Sequence, residues 1–234
     1  MAQPYGDSDD LDLEISILGV AARERGDGAI DVAVNTSRGA IPGLLHPCEA
    51  EPGAVILVGG ALGGLDGPAG GLYGRLAASL AALPGGLTGL RLNYRQPGEF
   101  QECVLDVLAG CSFLKGIGAR RIALLGHSFG GAVVIKAGEL SEMVTGVAAL
   151  SPQLYGTRSV ERLAPRSLLL AHGTADGILD CAASKDIYDR AQEPKRLVLY
   201  DGADHTLLSC AEELEELLRE WLIDVAGRQE AGDV

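Results

Sequence analysis

Ser128 stands in "LLGHSFGGA", residues Leu124 to Ala132, where Gly126-His127-Ser128-Phe129-Gly130 reads G-x-S-x-G. A serine hydroxyl attacks an acyl carbon only when an imidazole takes its proton, and that imidazole needs a carboxylate to fix its tautomer and stabilise its charged form. The chain has four histidines. His127 adjoins the serine in sequence and points elsewhere, His46 precedes the central strands, and His172 lies on a predicted strand just before a turn. His205 remains: "DGADHTLL" follows the last predicted strand, where a loop can reach back over the strand ends. For the acid, Asp176 in "AHGTADGILD" follows the preceding strand, with Asp180, Asp201 and Asp204 as alternatives in the same or the adjacent loop. Ser128, Asp176 and His205 then run in the order serine, acid, histidine, one of the orders in which such triads occur.

These residues need elements to hold them. Short apolar runs, "AVILV" from Ala54, "LTGLRLN" from Leu87, "RIALLG" from Arg121, "VAALS" from Val147, "SLLLAH" from Ser167 and "RLVLY" from Arg196, read as buried parallel strands. Between them Leu72, Leu76, Leu80 and Leu83 recur at helical spacing, as do Phe100, Val104, Val107, Cys111 and Leu114. The alternation predicts an α/β domain, a mostly parallel central sheet with helices on both faces. A last helix carries the stripe Leu214, Leu217, Leu218, Trp221, Leu222 and Val225, with Ser209 and Glu212 at capping-box spacing. Upstream, "AIDVAVNT" and "GAIPGLLH" read as a leading hairpin that turns around Arg38 and Gly39. In this frame Ser128 sits between a strand and the helix "FGGAVVIKAGEL", a turn so tight that side chains two residues either way would collide with their neighbours.

The chain's 234 residues suit one domain, expected over 11–226, with a frayed acidic N-terminus at 1–10 and a flexible tail at 227–234. A formal net charge of −13, with no cluster of Lys and Arg among aromatics, argues against nucleic acid as a partner. Five cysteines without CxxC spacing suggest neither a disulfide framework nor a zinc site, and reduced thiols fit a cytoplasmic protein. The acidic opening is unlike a signal peptide and no apolar run is long enough to span a bilayer, so a membrane partner is not expected. "GGALGGLDGPAGG" from Gly59 lacks the Lys-Ser/Thr ending of a phosphate-cradling loop.

With the motif, the acid loop and the histidine loop in this order, the sequence resembles the α/β-hydrolase family over roughly 41–225, and its small lidless members similar to dienelactone hydrolases and carboxylesterases in particular. The resemblance implies Ser128 as nucleophile, His205 as base and then acid, and Asp176 as the residue orienting His205. It also implies oxyanion donors: the N–H of Phe129 and, within "VGGALGG", that of Ala61, with Gly60 or Leu62 as alternatives. Two departures stand out. Gly59-Gly60 replaces the His-Gly common in the family, and Ser128 stands where dienelactone hydrolases themselves carry cysteine, which argues against that activity.

The segment "LNYRQPGEF" leaves a strand at the sheet edge where ligands bind, which makes Tyr94 and Arg95 candidate substrate contacts, Arg95 for carboxylate-bearing substrates. Little room between Pro152 and Ser167 predicts one short helix there, no lid and an open pocket. The expected function is cleavage of small accessible carboxylic esters through an acyl-enzyme on Ser128, with no metal or organic cofactor. Two other readings stay open: a ligand-binding protein without turnover, and acyl transfer or perhydrolysis by the same triad. Oligomeric state and natural substrate are not legible in the sequence.

Overall fold

Along each central strand alternate side chains enter two separate cores. Ala54, Ile56 and Val58 face one side and Val55 and Leu57 the other, all fully buried. A strand buried on both faces has no polar side, which is why these segments read as continuous apolar runs. The computed structural model describes residues 14–49 and 52–227; the expected frayed segment 1–10 and the tail from 228 lie outside them.

The strands are β1 (Ile17–Glu24), β2 (Ile30–Thr36), β3 (Gly39–His46), β4 (Gly53–Val58), β5 (Thr88–Leu92), β6 (Arg121–His127), β7 (Val144–Leu150), β8 (Ser167–Gly173) and β9 (Lys195–Tyr200). The helices are α1 (Pro68–Ala82), α2 (Phe100–Gly116), α3 (Phe129–Leu140), α4 (Ala182–Arg190) and α5 (Ala211–Ala226). All nine strands form one sheet in the order β1-β2-β3-β5-β4-β6-β7-β8-β9, antiparallel from β1 to β5 and parallel from β5 to β9. Helices α1 and α5 cover one face, and α2, α3 and α4 the other. The chain leaves β4 in one direction to reach β5 and returns to β6 on β4's other side. That reversal opens a crevice at the carboxyl ends of β4 and β6, where open α/β sheets bind ligands.

The leading hairpin forms as expected, with Thr36 paired to Gly39 across the turn. Strand β1 was not legible: all eight of its residues are exposed, so no burial pattern marks it. The capping box expected at Ser209 is absent. Leu207 takes a left-handed conformation (φ 56°), Leu208–Cys210 form a 3-10 turn, and α5 begins only at Ala211, its N-cap Cys210 making no side-chain capping bond. The stripe itself holds, with Leu214, Leu218 and Leu222 buried and Leu217, Trp221 and Val225 packed beside them. Gly227, where a tail was expected to start, still closes α5, its N–H bonded to the Ile223 carbonyl (2.8 Å).

Between β7 and β8, residues 151–166 carry a single 3-10 turn, Val160–Leu163. This insertion is too short to be a lid over the crevice. No helix among the described residues is long and apolar enough to cross a membrane.

Candidate active site

Ser128 occupies the one-residue turn between β6 and α3 at φ 58° and ψ −120°, a conformation that costs a non-glycine residue roughly 1–3 kcal/mol. Its neighbours enforce this. A Cβ on Gly126 would overlap the Gly130 carbonyl, and one on Gly130 would overlap the Gly59 carbonyl, so both motif glycines are required by backbone contact. The Ser128 N–H donates to the Leu150 carbonyl (2.8 Å), which ties the turn to β7.

His205 and Asp176 arrive from the loops after β9 and β8. The Ser128 hydroxyl is 3.1 Å from His205 Nε2, and His205 Nδ1 donates to Asp176 Oδ2 (2.7 Å). The Asp176 side chain is fully shielded from solvent. Its Oδ1 accepts the Ile178 and Leu179 N–H groups, each at 2.8 Å. Burial pushes this carboxyl up, but the Leu179 N–H, His205 and the Ile178 N–H together outweigh it and hold Asp176 below the ordinary carboxylate range. An ionised acid so fixed holds the imidazole with Nε2 free to accept the serine proton.

The alternative acids are engaged elsewhere. Asp204 caps its own turn through Thr206, Asp201 accepts from Thr174 (3.1 Å), and Asp180 accepts the Ala182 N–H (2.8 Å).

The β4–α1 loop lies against Ser128 at Gly60, where an added Cβ would sit 3.7 Å from Ser128 Cβ. Ala61 follows immediately. Phe129 is the first residue of α3, so its N–H has no carbonyl one turn back within the helix. The Gly-rich loop and the non-helical first turn of α1 are tethered: Gly64 N–H bonds to Asn93 Oδ1 (2.8 Å), Arg91 Nε to the Leu65 carbonyl (2.7 Å), and Ala69 N–H to the Thr206 carbonyl (2.8 Å). The last of these joins that turn to the loop carrying His205.

Two expected substrate contacts are corrected. Tyr94 is buried, its hydroxyl donates to the Gly59 carbonyl (3.3 Å) and its ring meets Phe129 edge-on, so it supports the loop behind Ser128. The Arg95 side chain is only 4% exposed. Its guanidinium binds Asp106, Glu102 (2.8 Å) and the Arg38 carbonyl (2.9 Å), which leaves no free charge for a substrate carboxylate.

Two further histidines, His172 and His127, reach the site as neighbours. His172 contacts Asp176. His127 donates from Nε2 to the His205 carbonyl (2.9 Å), and its ring lies 4.8 Å from that of His205. Burial holds the His127 imidazole well below its usual range, down to about 4, against the smaller opposing effect of its bond to His205. The unfolded chain therefore binds a proton at His127 that the folded chain refuses between pH 6.5 and about 4, and stability falls as pH drops through that window. The expected loss from this residue is about 2 kcal/mol between pH 7 and pH 5. Urea midpoints at the two pH values check it, and His127→Gln, which keeps an N–H donor but does not titrate, should flatten the difference.

No family model matches the chain. Over 122 residues it is 30% identical to the uncharacterized protein YfhR of Escherichia coli (strain K12), a match that covers 52% of this chain and only 40% of that protein. Solved structures match over more of the chain. The dienelactone hydrolase of Anabaena variabilis ATCC 29413 superposes with a TM-score of 0.73 at 18% identity, covering 84% of this chain and 97% of that one. Est1E from Butyrivibrio proteoclasticus gives 0.70 at 16%, covering 83% and 98%. XC6422 from Xanthomonas campestris, an α/β serine hydrolase without lid, gives 0.64 at 19%, covering 82% and 94%. Together with the strand order, the serine turn at the end of β6 and the short β7–β8 connection, these likenesses establish that the chain has the α/β-hydrolase fold in a form without a large lid.

Proposed function

We propose that this protein is a serine hydrolase acting on small, accessible, uncharged carboxylic esters. The observation that carries the reading is the unbroken line from Asp176 through His205 to Ser128, at 2.7 and 3.1 Å. Ser128 Oγ bonds to the ester carbonyl carbon while its proton passes to His205 Nε2. The resulting oxyanion is received by the Phe129 N–H and by Ala61 in the loop beside Gly60. The carbon–oxygen bond to the alcohol then breaks, His205 returns the proton to the leaving oxygen, and an acyl-serine remains. Water, deprotonated by His205, attacks the acyl carbon, and proton return to Ser128 Oγ releases the acid.

The surroundings favour a neutral substrate with an apolar arm. Leu62, Leu154, Tyr155, Ile178 and Leu208 are exposed on the loops that carry the site. Of these loops, the one after β7 touches the nucleophile where Gln153 N–H bonds to the Ser128 carbonyl (3.4 Å), and Ile178 N–H is bonded to Asp176. Five exposed apolar side chains on the loops around Ser128, Asp176 and His205 offer contact to an apolar substrate arm. Asp180 and Asp204 are exposed on the same loops, and the chain carries a formal charge of −13, so an anionic ester meets repulsion.

The test is intact-protein mass after incubation with a fluorophosphonate. A single adduct is expected on the wild type and none on Ser128→Ala. No adduct on folded wild-type protein would overturn the reading. With labelling in hand, p-nitrophenyl butyrate should be turned over with a higher kcat/KM than its anionic hemisuccinate analogue, and equal values would remove the charge preference.

A further inference from the structure

The carboxylate of Asp176 is held by a second histidine. His172, near the end of β8 and fully buried, places Nε2 3.1 Å from Asp176 Oδ2, the same oxygen that receives His205 Nδ1. Nε2 also lies 2.9 Å from the Leu179 carbonyl. Both partners are acceptors, so Nε2 carries a proton and donates to them. On the other side of the ring Nδ1 is 2.7 Å from Ser184 Oγ on α4, itself fully buried. His172 is thereby clamped between the helix and the acid loop, and Asp176 has four N–H donors, two on each oxygen.

We infer that His172 is a positioning residue for the reaction, acting through Asp176. This rests on the reading of Ser128 as nucleophile. Two consequences follow from the geometry. With donors on both oxygens the carboxylate cannot rotate without breaking bonds to the backbone and to His172, so Oδ2 stays aimed at His205. In addition, an oxygen shared between two donors gives less of its charge to either, so His172 moderates how strongly Asp176 stabilises the protonated form of His205. The titratable groups facing His205 are Asp176 from the loop after β8 and His127 from the end of β6, with Asp204 adjoining it in the chain; His172 reaches it only through Asp176.

The test replaces the ring with an apolar one of similar shape. His172→Phe should lower kcat/KM and the fluorophosphonate labelling rate by about 10- to 100-fold, the range found for residues that orient a site's primary groups, with KM unchanged. It should also move the acid limb of the pH–rate profile to higher pH, because Asp176 then concentrates its charge on the His205 imidazolium. His172→Gln, whose amide can donate where Nε2 does, should recover most of the rate and return the limb toward its wild-type position. A merely space-filling role would leave the limb in place and would not distinguish Gln from Phe, and that result would overturn the inference. Should the Phe variant not fold, imidazole 15N spectra of the wild type decide: Nε2 of His172 protonated at neutral pH supports the inference, and a proton on Nδ1 with none on Nε2 overturns it. Failure of the wild type to label would bring down the nucleophile reading and this inference together, whereas labelling of wild type and His172→Phe at equal rates would bring down this inference alone.

Discussion

Asp176→Asn is expected to lower kcat by up to about 10⁴ while leaving the fold in place, the loss typical of a triad whose histidine is turned to the wrong tautomer. The four donors around this side chain explain why the substitution cannot be accommodated. The carboxylate accepts from Ile178 and Leu179 on one oxygen and from His172 and His205 on the other. An amide has one acceptor oxygen and one NH2 group. If the NH2 faces the histidines, it opposes the His172 Nε2 proton and drives the His205 proton from Nδ1 to Nε2, where it blocks acceptance of the Ser128 proton. If the amide is turned around, the NH2 meets two backbone N–H groups, and the loop between β8 and α4 must shift. Single-turnover acylation with a chromogenic ester, beside a circular dichroism spectrum, checks the prediction. A loss of less than tenfold would reassign the orienting role to a neighbouring aspartate.

The parts of this site that were legible in the sequence are those whose requirements are local. Gly126 and Gly130 flank Ser128 because backbone carbonyls occupy the space of any side chain there, and that constraint is written in five consecutive residues. Asp176 follows β8, which is buried on both faces and reads as an unbroken apolar run. His205 follows β9, an edge strand that was expected to be buried but has no fully buried residue. Its run 197–200 is apolar all the same, so the place of both residues at strand ends could be inferred before their contacts were known. Strand β1 left no such mark, because a strand exposed on both faces has no periodicity to find. The start of α5 was misplaced since a left-handed residue at Leu207 and a tight turn, neither with a strong composition signal, take up the residues of the apparent capping box. His172, a histidine on an otherwise apolar strand four residues before the acid, reads from the sequence as a packed or hydrogen-bonded support, but nothing local says that Asp176 is the group it holds. Arg95 had a signal that was not used, on another element. Asp106 lies on the apolar face of α2 between Cys103, Val104 and Val107, and an acid buried there must have a cation partner.

That pairing makes Arg95→Met the other substitution with a large expected effect, on stability rather than chemistry. The Asp106 side chain is fully shielded, and it accepts the Arg95 backbone N–H (2.8 Å) together with the Arg95 guanidinium. Burial already raises the Asp106 carboxyl above its ordinary range, against the opposing pull of the Arg95 backbone and side chain. Without the guanidinium only the backbone donor remains, and a buried charge stripped of its partner typically costs 3–5 kcal/mol, about 10 °C in Tm for a domain of this size. The sign of the pH dependence follows. The variant carboxyl rises further and folds best when protonated, so the deficit relative to wild type should be smallest near pH 4 and should grow as pH rises toward 7, where the folded state must either hold a bare carboxylate or bind a proton that the unfolded chain has released. Urea unfolding at the two pH values tests this. Arg95→Met combined with Asp106→Leu should regain most of the lost stability, since removing both charges removes the desolvation penalty that neither could escape alone. Because Arg95 is spent on Asp106 and Glu102, the folded fraction of the single variant should turn over neutral and anionic esters in the wild-type ratio. A selective loss on the anionic ester would return Arg95 to the substrate.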